Sequence, residues 1–219
     1  MKIACIGYRD WALKIYDSLA NKTEDQYLIF RSKAQYKEEV LVEYKPDLVL
    51  FYGWSWMVPE NLINKFKCVM LHPSPLPKYR GGSPIQNQII AGEINSAVTL
   101  FLMNSGDVDS GPILATKELS LDGNIKDIFS RITEIGLILT LDLISNGLSP
   151  IDQNHKEATF CKRRSPKESE ITMKEINECT ALHLYNKIRM LQSPYPNAYI
   201  KTKDGKRLMI KDAIVNDDI

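Results

Sequence analysis

The sequence predicts an α/β fold, a doubly wound and mostly parallel sheet with a small C-terminal α+β subdomain. Three observations lead there. Apolar runs of strand length alternate with segments of helical period, the pattern of βαβ units. The early strand-length runs are apolar almost throughout, as strands covered on both faces are. The 219 residues, 44% hydrophobic and 25% charged, suffice for one good core and a modest appendage.

Lys2–Ile6 reads as the first strand, and Trp11, Ile15 and Leu19, four apart, give a helix stripe behind it. Residues 27–30 suit a second strand, 36–44 a helix stopped ahead of Pro46, and 47–51 a third strand. Pro59 opens another helix in the first turn, where its missing N–H is tolerated, and 67–71 follows as strand four. After a loop rich in Pro and Gly come a helix at 84–91, strand five at 97–103 and strand six at 113–119. The last is expected to be antiparallel because its connection is short. Residues 125–144 carry a long apolar stripe and are expected to form a helix covering the core. Turn residues and charges then replace this rhythm between 146 and 156, which sets the boundary between a core at 1–150 and a subdomain at 151–219. The subdomain is read as a helix at 180–191 and a hairpin, 198–202 with 207–211, joined across a D-G turn. It is small for independent folding and is expected to dock on the core.

A net charge of +1 without long basic runs gives no electrostatic footprint for wrapping nucleic acid. The longest apolar runs fall far short of the roughly 20 residues of a membrane span, and the N-terminus lacks a secretory apolar region. Cys5, Cys68, Cys161 and Cys179 are scattered, which suits reduced thiols in a cytoplasmic protein. His72, His155 and His183 are the whole histidine supply and form no H-E-x-x-H pairing, so no metal site is expected. A nicotinamide cofactor is not expected either, because one glycine, Gly7, follows strand one where G-x-G-x-x-G needs three.

The informative block runs H-P-S-P-L-P-K-Y-R-G-G from His72 to Gly82, followed by D-S-G-P from Asp109 to Pro112. His72 stands at the expected carboxyl end of strand four, where such folds place their crevice, and the prolines after it stiffen its loop. Asp109 follows strand five, so both side chains are expected to enter one crevice from neighbouring strand ends. A carboxylate on one imidazole nitrogen fixes the tautomer and raises the basicity of the other nitrogen. On spacing alone, a strand-capping His72 and a turn-filling Asp109 remain the plainer alternative.

This block resembles the signature of the folate-dependent formyltransferases, the family of methionyl-tRNA formyltransferase and the sugar N-formyltransferases. The similarity extends into the tail, through T-F-C-K-R-R-S-P at 159–166, L-Y-N-K-I-R-M-L at 184–191 and P-Y-P-N-A at 194–198. The resemblance implies a formyltransferase Rossmann-like core and transfer of a formyl group from N10-formyltetrahydrofolate, as co-substrate, to a primary amine. His72 would take the amine proton and Asp109 would orient His72. The family's oxyanion-binding Asn is replaced by Met70, whose thioether donates no hydrogen bond; Gln86, Asn87, Asn104, a backbone N–H or a cationic His72 are the candidate substitutes. The segment 52–59 resembles the loop that grips the pterin, which assigns Gly53, Trp54, Trp56 and Val58 to folate, with Trp54 and Trp56 as plain core aromatics the other reading. Ser74, Pro75, Leu76 and Pro77 correspond to the family's folate-contacting S-L-L-P. Arg80, Gln86 and Asn87 are assigned to the acceptor, and a surface ion pair is the plainer reading of Arg80.

The resemblance also ranks acceptors. The tRNA-acting relatives carry a larger basic C-terminal domain, so the amine of a nucleotide-linked amino sugar in a surface-glycan or pseudaminic-acid-type pathway comes first. Methionyl-tRNA, a glycinamide ribonucleotide and a folate-binding homologue of weak catalysis are the alternatives. The basic run Lys162, Arg163 and Arg164 is expected to pack or solvate locally, and a homodimer through the tail stays open.

Overall fold

The structure, a computed structural model, describes residues 1–216. Its first half alternates strand and helix: β1 (Lys2–Ile6), α1 (Asp10–Lys22), β2 (Gln26–Phe30), α2 (Glu38–Tyr44), β3 (Leu48–Tyr52), α3 (Glu60–Lys65) and β4 (Cys68–His72). A two-residue strand, β5 (Arg80–Gly81), α4 (Pro84–Ile90), β6 (Asn95–Leu102), β7 (Ile113–Ser120) and the long α5 (Ile125–Asn146) follow. Six strands form one sheet in the order β2-β1-β3-β4-β6-β7, with β2, β1, β3 and β4 mutually parallel.

Successive strand residues point to opposite faces, so each strand feeds two cores. Ile3, Cys5, Leu48, Leu50, Tyr52, Val69 and Leu71 pack with α1 and α5 on one face. Ala4, Ile6, Val49, Phe51 and Cys68 pack with Leu41 of α2 and Leu62 of α3 on the other. Gly136 lets α5 seat closely on this core: a Cβ there would lie 2.7 Å from both Ile15 Cδ1 and Leu71 Cδ1. Helix α5 starts where Asn124 accepts from the N–H groups of Lys126 and Asp127, while Asp127 accepts from the Asn124 N–H, a reciprocal cap. At the carboxyl end of the parallel strands the buried Tyr16 hydroxyl accepts from the Tyr52 N–H at 2.7 Å and lies 3.0 Å from the carbonyls of Ile6 and Leu50. Backbone groups left as the strands splay are thereby satisfied.

One expectation of topology is corrected. Strand five of the sequence reading, β6, runs antiparallel to β4, pairing Val69 with Leu102 and His72 with Thr99. β7 is antiparallel to β6, as its short connection requires. A period-2 apolar pattern identifies a strand but carries no direction.

Beyond β7 the chain returns to the body repeatedly. β8 (Phe160–Cys161) pairs with β5, and Ile113 and Ile151 form a bridge. A short helix absent from the sequence reading, α6 (Met173–Glu178), precedes α7 (Ala181–Arg189) and the hairpin β9 (Ala198–Lys201) and β10 (Arg207–Ile210), which turns at Gly205. Ile171, Ile188, Met190, Leu191 and Ala198 join the α1/α5 core, and the buried Arg189 guanidinium donates to the carbonyls of Leu121 and Gly123. Among the described residues no helix is long and apolar enough to cross a membrane.

Candidate active site

His72 ends β4 and is 5% exposed. By the period of the strand it shares a face with Cys68 and Met70, opposite Val69 and Leu71. The loop after it is pinned from several sides. Ser74 donates its hydroxyl to the Lys78 carbonyl, Thr99 donates to the Ser74 carbonyl, and Gln88 donates to the Pro73 carbonyl. The loop then turns through Tyr79, whose φ of 59° aims its carbonyl at His72 Nε2, 2.9 Å away.

Asp109 arrives by a different route from the one expected. Because β6 is antiparallel to β4, the loop at 103–112 leaves the sheet beside Cys68, where the Met103 N–H donates to the Cys68 carbonyl, and returns to His72. It closes with Asp109 in the left-handed region, φ 53°. Asp109 Oδ2 accepts from the Gly81 N–H at 2.8 Å and lies 3.4 Å from His72 Nδ1. Gln153 holds the loop from behind, donating to the carbonyls of Asp109 and Gly111.

Both neighbours of the imidazole are acceptors. A neutral ring donating Nε2–H to the Tyr79 carbonyl carries its lone pair on Nδ1, the nitrogen beside Asp109. A proton added at Nδ1 would meet the carboxylate and let the ring donate to both partners at once. The backbone therefore fixes the tautomer, and Asp109 flanks the basic nitrogen; the sequence reading had placed the carboxylate on the opposite nitrogen. At 3.4 Å the contact is longer than a good N–H···O bond, with room to tighten around a substrate.

His72 and Asp109 sit in the wall of a cleft of about 460 Å³. Its aromatic side is Trp54 and Trp56, ring centroids 4.7 Å apart, with Tyr8 packed against both and bonded to Ser55. Gly53 (φ 60°) brings bare backbone to this wall, where a Cβ would fall 2.8 Å from Arg9 Cβ. Val58, Met70, Met103 and Asn104 also line it. A flat heteroaromatic ligand fits such a wall.

The other expected site residues divide. Gly53, Trp54, Trp56, Val58, Met70 and Gln86 line the cleft, with the Gln86 side-chain nitrogen buried and without a hydrogen-bond partner. Ser74, Pro75, Leu76 and Pro77 lie outside the cleft's lining, Ser74 is fully buried, and their hydrogen bonds shape the loop that holds His72. Arg80 lies outside the lining too. It is 1% exposed, donates through two nitrogens to Gln153 Oε1 and stands 3.1 Å from His155 Nδ1, so it braces the Asp109 loop through Gln153. Burial lowers its pKa, against the pull of Asp107 and Asp109. Asn87 spends its amide on the carbonyls of Gly82, Ser83 and Lys162 and is no cleft contact.

Sequence reasoning missed Tyr79 and Gln153, which act through a carbonyl and a distant loop that no motif signals. It also passed over Arg9 and took Arg163 as part of a run that packs or solvates locally; both are in the cleft wall. For Arg9 a signal existed: its place just past β1, where such sheets bind ligands. Among the described residues no group of three His, Cys, Asp or Glu is placed to hold a metal ion.

Residues 10–134 match the formyl transferase family. Methionyl-tRNA formyltransferase of Hydrogenobaculum sp. (strain Y04AAS1) is 32% identical over 195 residues, 85% of this chain and 62% of that protein. The chain spans 50% to 62% of the length of the first curated relatives it matches. A solved methionyl-tRNA formyltransferase from Clostridium thermocellum superposes with a TM-score of 0.84 at 29% identity, covering 96% of this chain and 97% of that one. A sugar N-formyltransferase from Shewanella sp. FDAARGOS_354 shares the fold, with a TM-score of 0.75 at 18% identity over 99% of each chain.

Proposed function

The chain belongs to the formyl transferase family, and from that premise we propose that it transfers a formyl group from N10-formyltetrahydrofolate to the primary amine of a nucleotide-linked amino sugar. The observation that carries the reading is the His72–Asp109 pair, 3.4 Å apart, in the wall of an aromatic cleft.

The folate co-substrate supplies the formyl carbon and a nitrogen leaving group, and the Trp54, Trp56 and Gly53 wall suits its flat pterin. The amine nitrogen bonds to the formyl carbon and gives up a proton to His72 Nδ1. Asp109 stabilises the imidazolium so formed, while the Tyr79 carbonyl keeps the ring from turning. The imidazolium returns the proton to the departing folate nitrogen as the carbon–nitrogen bond breaks, so no proton is consumed overall. Met70 offers the carbonyl oxygen nothing, which leaves its developing charge to the cationic ring and to backbone N–H groups. Loss of one oxyanion donor typically costs about 2.7–4 kcal/mol.

A compact acceptor is supported by the net charge of +1, which gives little overall attraction for a polyanionic tRNA arm. The second reading, methionyl-tRNA, is favoured by the names of the relatives at 32–33% identity. The test is incubation with N10-formyltetrahydrofolate and either a panel of UDP- and dTDP-linked amino sugars or methionyl-tRNA, following tetrahydrofolate release and product mass. Formylation of an amino sugar is expected. Formylation of the tRNA alone would replace the first reading by the second. Folate binding without turnover of any amine would leave a binding module.

A further inference from the structure

Beside the cleft lies a second, smaller recess of about 150 Å³ that shares Arg9, Ser83, Gln86, Arg163 and Tyr195 with it. Arg164, Ser165 and Ser169 complete its polar wall, and no carboxylate is part of its lining. Two of its donors are orphaned. Gln86 is 4% exposed and its Nε2 has no hydrogen-bond partner; Arg164 Nε is buried and equally without one. A buried donor left unpaired costs about 1–3 kcal/mol, so two such donors in residues that line one recess favour a ligand whose oxygens draw them into hydrogen bonds.

The arginines are seated by backbone. β5 and β8 pair, and the Gly82 N–H donates to the Cys161 carbonyl. A Cβ on Gly82 would lie 2.6 Å from Arg163 Cα, so this approach requires glycine. The Arg164 N–H donates to the Ser83 hydroxyl, tying the basic run to the start of α4. Outside the recess Glu168 takes part of the Arg164 charge: its carbonyl accepts from Arg164, and its carboxylate lies 3.8 Å from Arg164 Nη1. Arg9 and Arg163 have no ion pair among the described residues; Arg9 lies over the rings of Tyr8 and Tyr195. Three guanidiniums and an amide around a narrow recess match the multiple oxygens of phosphate groups.

We propose that Arg9, Arg163, Arg164 and Gln86 bind the diphosphate of a nucleotide-linked acceptor in this recess, holding its amine end in the cleft beside His72. The assignment rests on the proposed function for the identity of the acceptor, but anion binding can be measured without turnover.

The experiment is isothermal titration, at low ionic strength, of inorganic pyrophosphate, UDP and dTDP into the full chain. The proteins are the wild type, Arg163→Ala, Arg164→Gln and, as a remote control, Lys174→Ala, with thermal unfolding as the check on folding. Pyrophosphate and at least one nucleoside diphosphate should bind the wild type and Lys174→Ala equally, and each arginine variant at least about tenfold more weakly. Added salt should weaken binding. Arg163 is exposed, so its variant keeps the test informative if Arg164→Gln unfolds. Failure of pyrophosphate to bind, equal binding by Arg163→Ala, or binding of pyrophosphate with neither nucleotide would overturn the proposal. Nucleotide binding lost in Arg163→Ala, with no amine formylated by the wild type, would uphold the recess while the enzymatic reading fails. Formyl transfer to an amino sugar with an unchanged KM in Arg163→Ala would do the reverse.

Discussion

The Tyr79 carbonyl and the Asp109 carboxylate compete for one imidazole, and how they divide it decides what His72 can do. A neutral ring serves one of them, and a protonated ring serves both. Asp109 thus acts on the charge of His72 more than on its orientation. Asp109→Asn keeps the shape and an acceptor oxygen but loses the negative charge, and should lower kcat by about 10²–10⁴-fold while leaving folate affinity within about twofold. An unchanged kcat would remove the carboxylate from the chemistry. Met70 faces the same cleft with no donor, so Met70→Asn should raise kcat, by at most the hundred- to thousand-fold that one oxyanion donor is worth. An unaltered rate would mean that another group already holds that oxygen. His72 and Asp109 were legible in the sequence because their motifs are specific. Tyr79 was not, because it works through its backbone, and the bond of Arg80 to Gln153 was not, because a guanidinium in a motif does not reveal whether it faces a cleft or a buried amide.

At the scale of elements, alternation in β1, β3 and β4 is written plainly in the apolar pattern, and both cores follow from it. The direction of β6 is not, and with it goes the path by which the 103–112 loop delivers Asp109. The short pairing of β5 with β8 has no periodic signature at all; it depends on Gly81 and Gly82 leaving room for residues far along the chain. Helix α5, by contrast, was legible: expected over 125–144, it spans Ile125–Asn146. Asn124→Ala removes an acceptor from the N–H groups of Lys126 and Asp127 and should cost about 1 kcal/mol in urea unfolding. No loss would mean that water caps this end equally well. The thiols of Cys5 and Cys68 are pushed up by burial, Cys68 to about 12, and should resist alkylation at pH 8 until the protein unfolds. Labelling of either in the native state would show that the sheet opens.

At the scale of the whole molecule, the tail is stitched to the body by core residues of α7 and β9 and by Arg189, which donates to the carbonyls of Leu121 and Gly123, while Lys187 pairs with Glu175 inside the tail. Burial works against ionisation of Glu175, but hydrogen bonds from Lys187 and Thr172 prevail and hold its carboxyl below the usual range. A carboxyl depressed in the folded state stabilises above its unfolded pKa, about 4.3, and loses that contribution as pH falls through the folded value. Glu175→Gln should therefore lower the urea midpoint at pH 7 and have progressively less effect below pH 4. A constant difference across that range would assign the loss to packing. Tyr79, Gly81 and Gln153 hold an imidazole and a carboxylate at the side of an aromatic cleft.

The most direct test of that claim is the single-turnover rate of formyl transfer by His72→Ala, with the amine that the wild type formylates fastest and folate binding measured in parallel. Normal folate affinity and a rate lower by about 10²–10⁴-fold are expected. A rate equal to that of the wild type would contradict the claim.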